Sequence, residues 1–405
     1  MSDFEIRTLG TEEHRAASNL FRETVHFPPS DDAEWVYAAR YYQPGGTVGA
    51  FDPELIGTAR SFDAELTVPG GARLPMVGVT SVGVRADRTR RGVLRAMMTA
   101  QLEDFAARGV VFANLLASES GIYGRFGYGL ASDHQEIVVP KPARELRPVA
   151  GIADVRIRYV DVRETLAETA ALRNKLANER VGMFEHDDRW QELVVSDNVM
   201  VDPSNASALR CVLAERDGEL TGFAHYRTKR ADKGFVEVRR MHAVDLASHA
   251  ALWRYLLEPD LLSETRYEAL PSDDPLLDLL VDQRAPSPIT RDGLWLRFVD
   301  LAPALAARTY SRDIDVVLEV TDGFLPWNAG KWHLAGGPAG ATCESTTRPA
   351  DLTVDVRDLA SVYLGKPSFV RLGAAGLVQE HTAGALEAAA QAFSTSRLPW
   401  LDTGF

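Results

Sequence analysis

Cysteine is nearly absent, with two in 405 residues. Cys211 and Cys343 stand far apart, without the paired spacing of a zinc ligand set. A disulfide framework and a structural zinc site are therefore excluded as organising features, and both residues read as small buried apolar groups. Long apolar runs are missing too. No stretch approaches the ~20 residues that span a bilayer, and Met1-Ser-Asp-Phe-Glu lacks the plan of a secretion signal. The expectation is a cytoplasmic protein with no membrane span. The nine histidines form no His-Glu-x-x-His or other ligand spacing, and His186 beside Asp187 and Asp188 reads as a solvated loop group, so no metal is expected. Positive charge is in deficit, giving a formal net charge of −13. That balance argues against a nucleic-acid surface and suits a cationic ligand, which an acidic cleft concentrates.

What is present is most concentrated at Ser81-Val-Gly-Val-Arg-Ala-Asp-Arg-Thr-Arg-Arg-Gly-Val-Leu-Arg-Ala-Met-Met98. A short apolar strand runs into a basic, glycine-containing turn. The turn opens a helix in which Val93, Leu94, Met97, Met98, Leu102 and Phe105 recur with helical period. The first N–H groups of a helix lack internal partners and lie at the positive end of its dipole, so a diphosphate placed there meets backbone donors. Gly92 permits close backbone approach, and Arg90, Arg91 and Arg95 add charge to the donors of Val93 and Leu94. The same Arg-Arg-Gly sequence is also compatible with a solvated helix cap. After Gly109, Val110-Val-Phe-Ala-Asn-Leu-Leu116 reads as a buried strand, followed by Ser118-Glu-Ser-Gly-Ile-Tyr-Gly-Arg-Phe-Gly-Tyr-Gly129.

The order strand, Arg-Arg-Gly turn, helix resembles the acetyl-coenzyme A signature of the GNAT acetyltransferases, Arg/Gln-x-x-Gly-x-Gly/Ala. Thr89 stands at its first position and Leu94 at its last. The segment Ile122-Tyr-Gly-Arg-Phe-Gly-Tyr-Gly129 resembles the Eis (enhanced intracellular survival) family, GNAT enzymes that acetylate amines repeatedly. Asp351-Leu-Thr-Val354 with Leu359-Ala-Ser-Val-Tyr-Leu-Gly365 resembles the sterol-carrier-protein-like domain at the C-terminus of that family. The resemblance implies an α/β (α+β) chain of tandem GNAT-like domains followed by that third domain. Length independently calls for two or three domains. The expected divisions are 1–140, 149–298 and 299–405, with the proline-rich segment 140–148 as a linker. In the middle domain a strand at 235–244 runs into a helix at 245–256 without an Arg-Arg-Gly turn, so that copy is expected to lack the coenzyme cradle.

The resemblance also assigns roles. Acetyl-CoA would be the cosubstrate. Val82, Gly83 and Val84 would lie along its pantetheine arm, Arg90 to Arg95 would hold its diphosphate, and Ser118 and Glu119 would lie near it. Tyr123 would be the general acid, since a phenol with a reference pKa of about 10 stays protonated at neutral pH and can protonate a leaving thiolate. The α-carboxylate of Phe405 would be the base. Phe27, Asp31, Asp32, Glu34 and Trp35 fall on a Pro-Pro break and the helix after it, which would roof the acceptor site, and Asp402 is a further acidic candidate for a cation. The implied activity is N-acetyl transfer to primary amines of a polycationic acceptor such as an aminoglycoside, a polyamine or a lysine side chain. The implied assembly is a homo-hexamer. A ligand- or lipid-binding carrier with a relic acetyltransferase fold is the competing reading.

Overall fold

The computed structural model describes residues 4–190, 194, 205–230 and 233–405. Two compact units result: one of Met1–Ser132, Gly293–Pro399 and Thr403–Phe405, the other of Asp133–Asp292 and Trp400–Asp402.

The first unit holds two sheets. Strands β1 (Glu5–Thr8), β2 (Thr47–Asp52), β3 (Glu54–Thr67) and β4 (Arg73–Val84) form an antiparallel meander, and β5 (Phe112–Leu115) then pairs in parallel with β4. The return to a parallel strand needs a crossover. Helix Val93–Ala107 supplies it and buries Val93, Met97, Met98, Leu102 and Phe105 of the expected stripe, while Leu94 is half-buried. Its partners in the core include Val77, Val79, Ala113, Tyr123, Phe126 and Tyr128. The sheet is completed by β14 (Trp295–Phe298), inserted between β5 and β6 (Gly129–Leu130).

The second sheet of this unit contains β15 (Ile314–Thr321), β16 (Gly330–Gly337), β17 (Gly340–Ser345), β18 (Leu352–Asp355) and β19 (Val378–Glu380), in the order β17-β16-β15-β18-β19. Helix Val356–Tyr363 is capped by the Asp355 carboxylate and packs on β6 so closely that a methyl group at Gly129 would overlap the Arg357 carbonyl. Arg297 on β14 forms a wholly buried ion pair with Asp322 at 2.5 Å. The same carboxylate accepts the N–H groups of Phe324 and Leu325.

Among the described residues the second unit's strands form one seven-stranded sheet, ordered β13 (Ile289–Asp292), β7 (Asp133–Pro140), β12 (Glu264–Pro271), β11 (Phe235–Ala243), β10 (Glu219–Lys229), β9 (Arg210–Arg216), β8 (Arg156–Val160). The β9–β10 hairpin turns at Asp217 and Gly218, both with positive φ (54° and 83°), the geometry that an Asp-Gly pair supplies in a two-residue hairpin loop. Two strands lie across the divisions set from sequence. Strand β7 pairs with β12 and β13 in this sheet, and β14 pairs in the first unit's sheet. A strand is stabilised where its edge finds a partner, and local sequence does not name that partner. The 140–148 segment is ordered rather than a bare tether: Lys141 N–H donates to the Ser263 carbonyl, and Leu146 forms a bridge with Leu280. His186, read as a solvated loop group, is instead buried and stacked on Trp190 at 4.5 Å. Burial pushes its pKa well down.

Candidate functional site

The first sheet opens partway along. Strands β4 and β5 pair only from Met76–Phe112 to Gly78–Asn114, whereas β4 runs on to Val84. Beyond Gly78, therefore, β4 has no strand on that side among the described residues. A bulge sits in this free length, because Ser81 and Val82 both oppose Ala59, and Ser81 adopts φ 49°. A bulge twists its strand and re-aims its groups. Val82, Gly83 and Val84 lie in or just past it. Gly83 is required by contact, since a methyl there would fall 2.6 Å from Thr24 Oγ1.

Strand β4 leads through a short 3-10 turn to Thr89-Arg-Arg-Gly92. Arg90 and Gly92 have φ of 62° and 85°, and nothing lies within 4 Å of the space a Gly92 Cβ would fill. The left-handed conformation, not crowding, is what calls for glycine here. The first amide of the helix with a backbone acceptor is that of Ala96, bonded to the Gly92 carbonyl at 3.0 Å. The N–H groups of Val93, Leu94 and Arg95 have no acceptor among the described residues. Arg90 and Arg91 are exposed with no carboxylate partner among the described residues, in contrast to Arg85 and Arg88, which pair with Glu54, Asp87 and Asp52. Arg95 lies 5.2 Å from the centroid of the Phe324 ring. An open loop with unbonded amides and unpaired guanidinium groups fits a diphosphate.

Strand β5 ends in an exposed Ser118-Glu119 and a one-turn helix, Ser120–Tyr123. Tyr123 is 6% exposed and packs edge-on to Tyr128 with centroids 6.0 Å apart. Its hydroxyl has no hydrogen-bond partner among the described residues. Burial, with a smaller contribution from the negative charge of Glu119, pushes its pKa up to about 12. The phenol is therefore neutral at any physiological pH. Phe405 sets its ring edge-on against Phe62 at 5.0 Å, and Phe62 lies over Gly78, where a methyl group would overlap its ring. The last residue of the chain thus packs beside the point at which the sheet opens.

The proposed acceptor residues are arranged less simply. Phe27 is 62% exposed, and Trp35 lies 5.6 Å from Tyr42. Asp31 caps helix Asp32–Ala38 by accepting the Glu34 N–H, while Asp32 and Glu34 pair with Arg15 (2.7 Å) and Arg22 (3.1 Å). Asp402 is not at an open surface. Its carboxylate is 1% exposed and bonds Arg173 and His242. The sequence carried no sign of the Ser81 bulge, of Phe62 beneath Phe405, or of Arg173 and His242, since each depends on strand register or on contacts distant along the chain.

In the second unit, β11 leads to helix Leu246–Leu257 through Val244 and Asp245. The Asp245 carboxylate accepts the Ser248 N–H at 2.8 Å. It thereby occupies one of the helix N-terminal donors of the kind that Gly92 leaves open in the first unit, and its negative charge opposes a phosphate there. Among the described residues no cluster of His, Cys, Asp and Glu could hold a metal, and no helix is long and apolar enough to cross a membrane.

A sheet whose parallel β4–β5 pair opens beside its crossover helix is the GNAT arrangement, and comparison with known proteins agrees. Residues 5–131 and 182–298 each match an acetyltransferase (GNAT) domain family, and residues 301–402 match the sterol carrier protein domain. The chain is 43% identical over 369 residues to an uncharacterized N-acetyltransferase of Streptomyces avermitilis, covering 89% of each. It is 34% identical over 330 residues to N-acetyltransferase Eis of Mycobacterium tuberculosis, covering 80% of this chain and 79% of that one. It superposes on the crystal structure of Eis1 from Mycobacterium abscessus with a TM-score of 0.86 at 33% identity, over 99% of this chain and 100% of that one. The chain belongs to the Eis family of GNAT N-acetyltransferases, and it is an N-acetyltransferase with two GNAT domains and a sterol carrier protein domain.

Proposed function

We propose that the chain transfers acetyl from acetyl-CoA directly to primary amines of a polycationic acceptor. Bound in the opening, acetyl-CoA would supply an activated thioester. The amides of Val93 to Arg95 and the guanidinium groups of Arg90, Arg91 and Arg95 hold the diphosphate, with Ser118 and Glu119 at the neighbouring rim. The free edge of β4 at Val82, Gly83 and Val84 aligns the pantetheine arm, and one of its N–H groups stabilises charge on the carbonyl oxygen during attack. As the amine nitrogen bonds to the carbonyl carbon and the carbon–sulfur bond breaks, Tyr123 gives its phenolic proton to the departing sulfur. The Phe405 carboxylate takes the proton that the nitrogen loses, directly or through a water. Aromatic Phe27 and Trp35 suit a cationic acceptor, and Asp31, Asp32 and Glu34 add negative charge on the same segment. Homo-hexameric assembly and a cytoplasmic location are part of the same reading.

One observation carries the proposal: Tyr123 is a buried phenol, protonated to about pH 12, whose hydroxyl has no partner among the described residues. The neighbouring Tyr128 also has an unpartnered hydroxyl but is wholly buried, so Tyr123, still 6% exposed, is the one whose hydroxyl a bound ligand can meet. The test is thiol release from acetyl-CoA with a panel of aminoglycosides, polyamines and lysine peptides. Turnover with at least one polycationic amine is expected. Coenzyme binding by calorimetry with no turnover on any amine would favour the carrier reading.

A further inference from the structure

The second unit's sheet opens as the first does, without a cradle beside the opening. Strands β11 and β12 pair in parallel only from Phe235–Glu264 to Val238–Tyr267, although β11 continues to Ala243 and β12 to Pro271. Both unpaired lengths are engaged by one short piece of chain. The Ala269 carbonyl, on β12, accepts Trp400 Nε1–H at 3.0 Å. On β11, His242 Nε2 lies 3.0 Å from Asp402 Oδ2. The Trp400 N–H donates to the Val181 carbonyl at 3.0 Å, and Trp400 packs in a small core with Ala177 and Met183.

Asp402 is the firmest of these attachments. Arg173 grips it with two parallel bonds, Nη2 to Oδ1 at 2.5 Å and Nε to Oδ2 at 2.9 Å. Its third bond comes from His242, which burial keeps neutral, so that its Nε2–H donates to Oδ2. Burial works to raise the Asp402 pKa, but the charge of Arg173 and the bonds from His242 and Arg173 outweigh it and hold the group well below the usual carboxylate range. All three side chains are at most 4% exposed. A bidentate guanidinium–carboxylate pair fixes angle as well as distance. Its buried charge makes it a device for specifying one arrangement more than for adding stability.

We propose that the second GNAT domain serves as a socket for the chain's own C-terminal segment, and that Asp402 is a positioning residue for the terminal carboxylate. The second part rests on the reading of the Phe405 carboxylate as the base. Chain length makes the case quantitative. Twelve residues follow the helix Ala385–Phe393, enough for the terminus to sweep about 40 Å if unheld; fixed at Asp402, it can reach only about 10 Å. Catalytic geometry fails at displacements of about 1 Å, so Asp402 brings the terminus within range and the packing of Phe405 on Phe62 completes its placement. The socket also gives the cradle-less sheet a use: Trp400 takes the Ala269 carbonyl on β12 and Asp402 the His242 side chain on β11.

The test combines a protease readout with kinetics on the full chain. In Asp402→Asn, carboxypeptidase A should release the terminal Phe at least ~10-fold faster than from the unaltered protein. With acetyl-CoA affinity kept, kcat should fall about 10²-fold. Arg173→Lys, which keeps the cation but loses the fork, should give a smaller change in both. If Asp402→Asn does not fold, shown by loss of cooperative melting and of acetyl-CoA binding, Arg173→Lys decides by the same two readouts. Unchanged release and unchanged kcat overturn the inference. A chain lengthened by one glycine after Phe405 separates the two readings. If it keeps full kcat, the base reading fails while faster Phe release still supports the socket. If it loses kcat while Asp402→Asn does not, the base reading stands and the positioning role falls.

Discussion

At the scale of single residues, the proposed chemistry turns on a tyrosine whose surroundings set its charge. Tyr123 is held neutral to about pH 12 by burial and by Glu119. The sign follows directly: a phenol with a raised pKa keeps its proton at all lower pH, so it is in donor form across the whole working range. No loss of kcat from this group is expected until the pH nears 12. Removing the hydroxyl leaves the ring packing on Tyr128 intact. Tyr123→Phe should therefore bind acetyl-CoA normally and lose ~10²–10⁴ in kcat, the usual worth of a positioned acid. Wild-type kcat in that variant would return Tyr123 to a packing role.

At the scale of elements, the cradle is a conformation as much as a sequence. Gly92 has φ 85° with open space around it, so Gly92→Ala meets no clash and pays only the left-handed backbone cost, about 1–2 kcal/mol. The loop either relaxes, withdrawing its amides, or binds at that cost. A rise in the acetyl-CoA Kd of roughly tenfold, with kcat at saturation nearly kept, is the expected result by calorimetry and kinetics. An unchanged Kd would mean that the turn is an ordinary helix cap. This element was legible in sequence because its parts are consecutive: the strand from Ser81, the Arg-Arg-Gly turn and the helical stripe to Phe105 follow one another within twenty-five residues. The Asp217-Gly218 hairpin and the helix after Asp245 were legible for the same reason. Strands β7 and β14 were not, because which sheet a strand joins is decided by long-range pairing. Phe405 entered through resemblance alone. Its packing on Phe62 and the Arg173 grip on Asp402 join residues hundreds of positions apart, for which local patterns carry no signal.

At the scale of the whole molecule, the sterol carrier protein domain and the first GNAT sheet lie in one compact unit, joined by the buried Arg297–Asp322 pair. Arg297→Ala leaves the Asp322 carboxylate buried without its cation, a loss that typically costs ~3–5 kcal/mol. A fall in Tm on the order of 10 °C is expected by calorimetry, and a shift within 1–2 °C would show that the pair is not needed for stability. The second unit keeps the GNAT sheet without the Arg-Arg-Gly turn, and there Asp245 caps the helix.

The most direct test of this account is the steady-state kcat of the chain lengthened by a single glycine after Phe405. Every side chain stays in place, and the terminal carboxylate moves by about 3.5 Å. The account predicts a protein that folds, binds acetyl-CoA with unchanged affinity and releases thiol in the presence of a polycationic amine at least about 10²-fold more slowly. Full kcat in the lengthened chain would contradict it, removing the terminal carboxylate from the reaction and with it the reason for the tail to end beside the opened sheet.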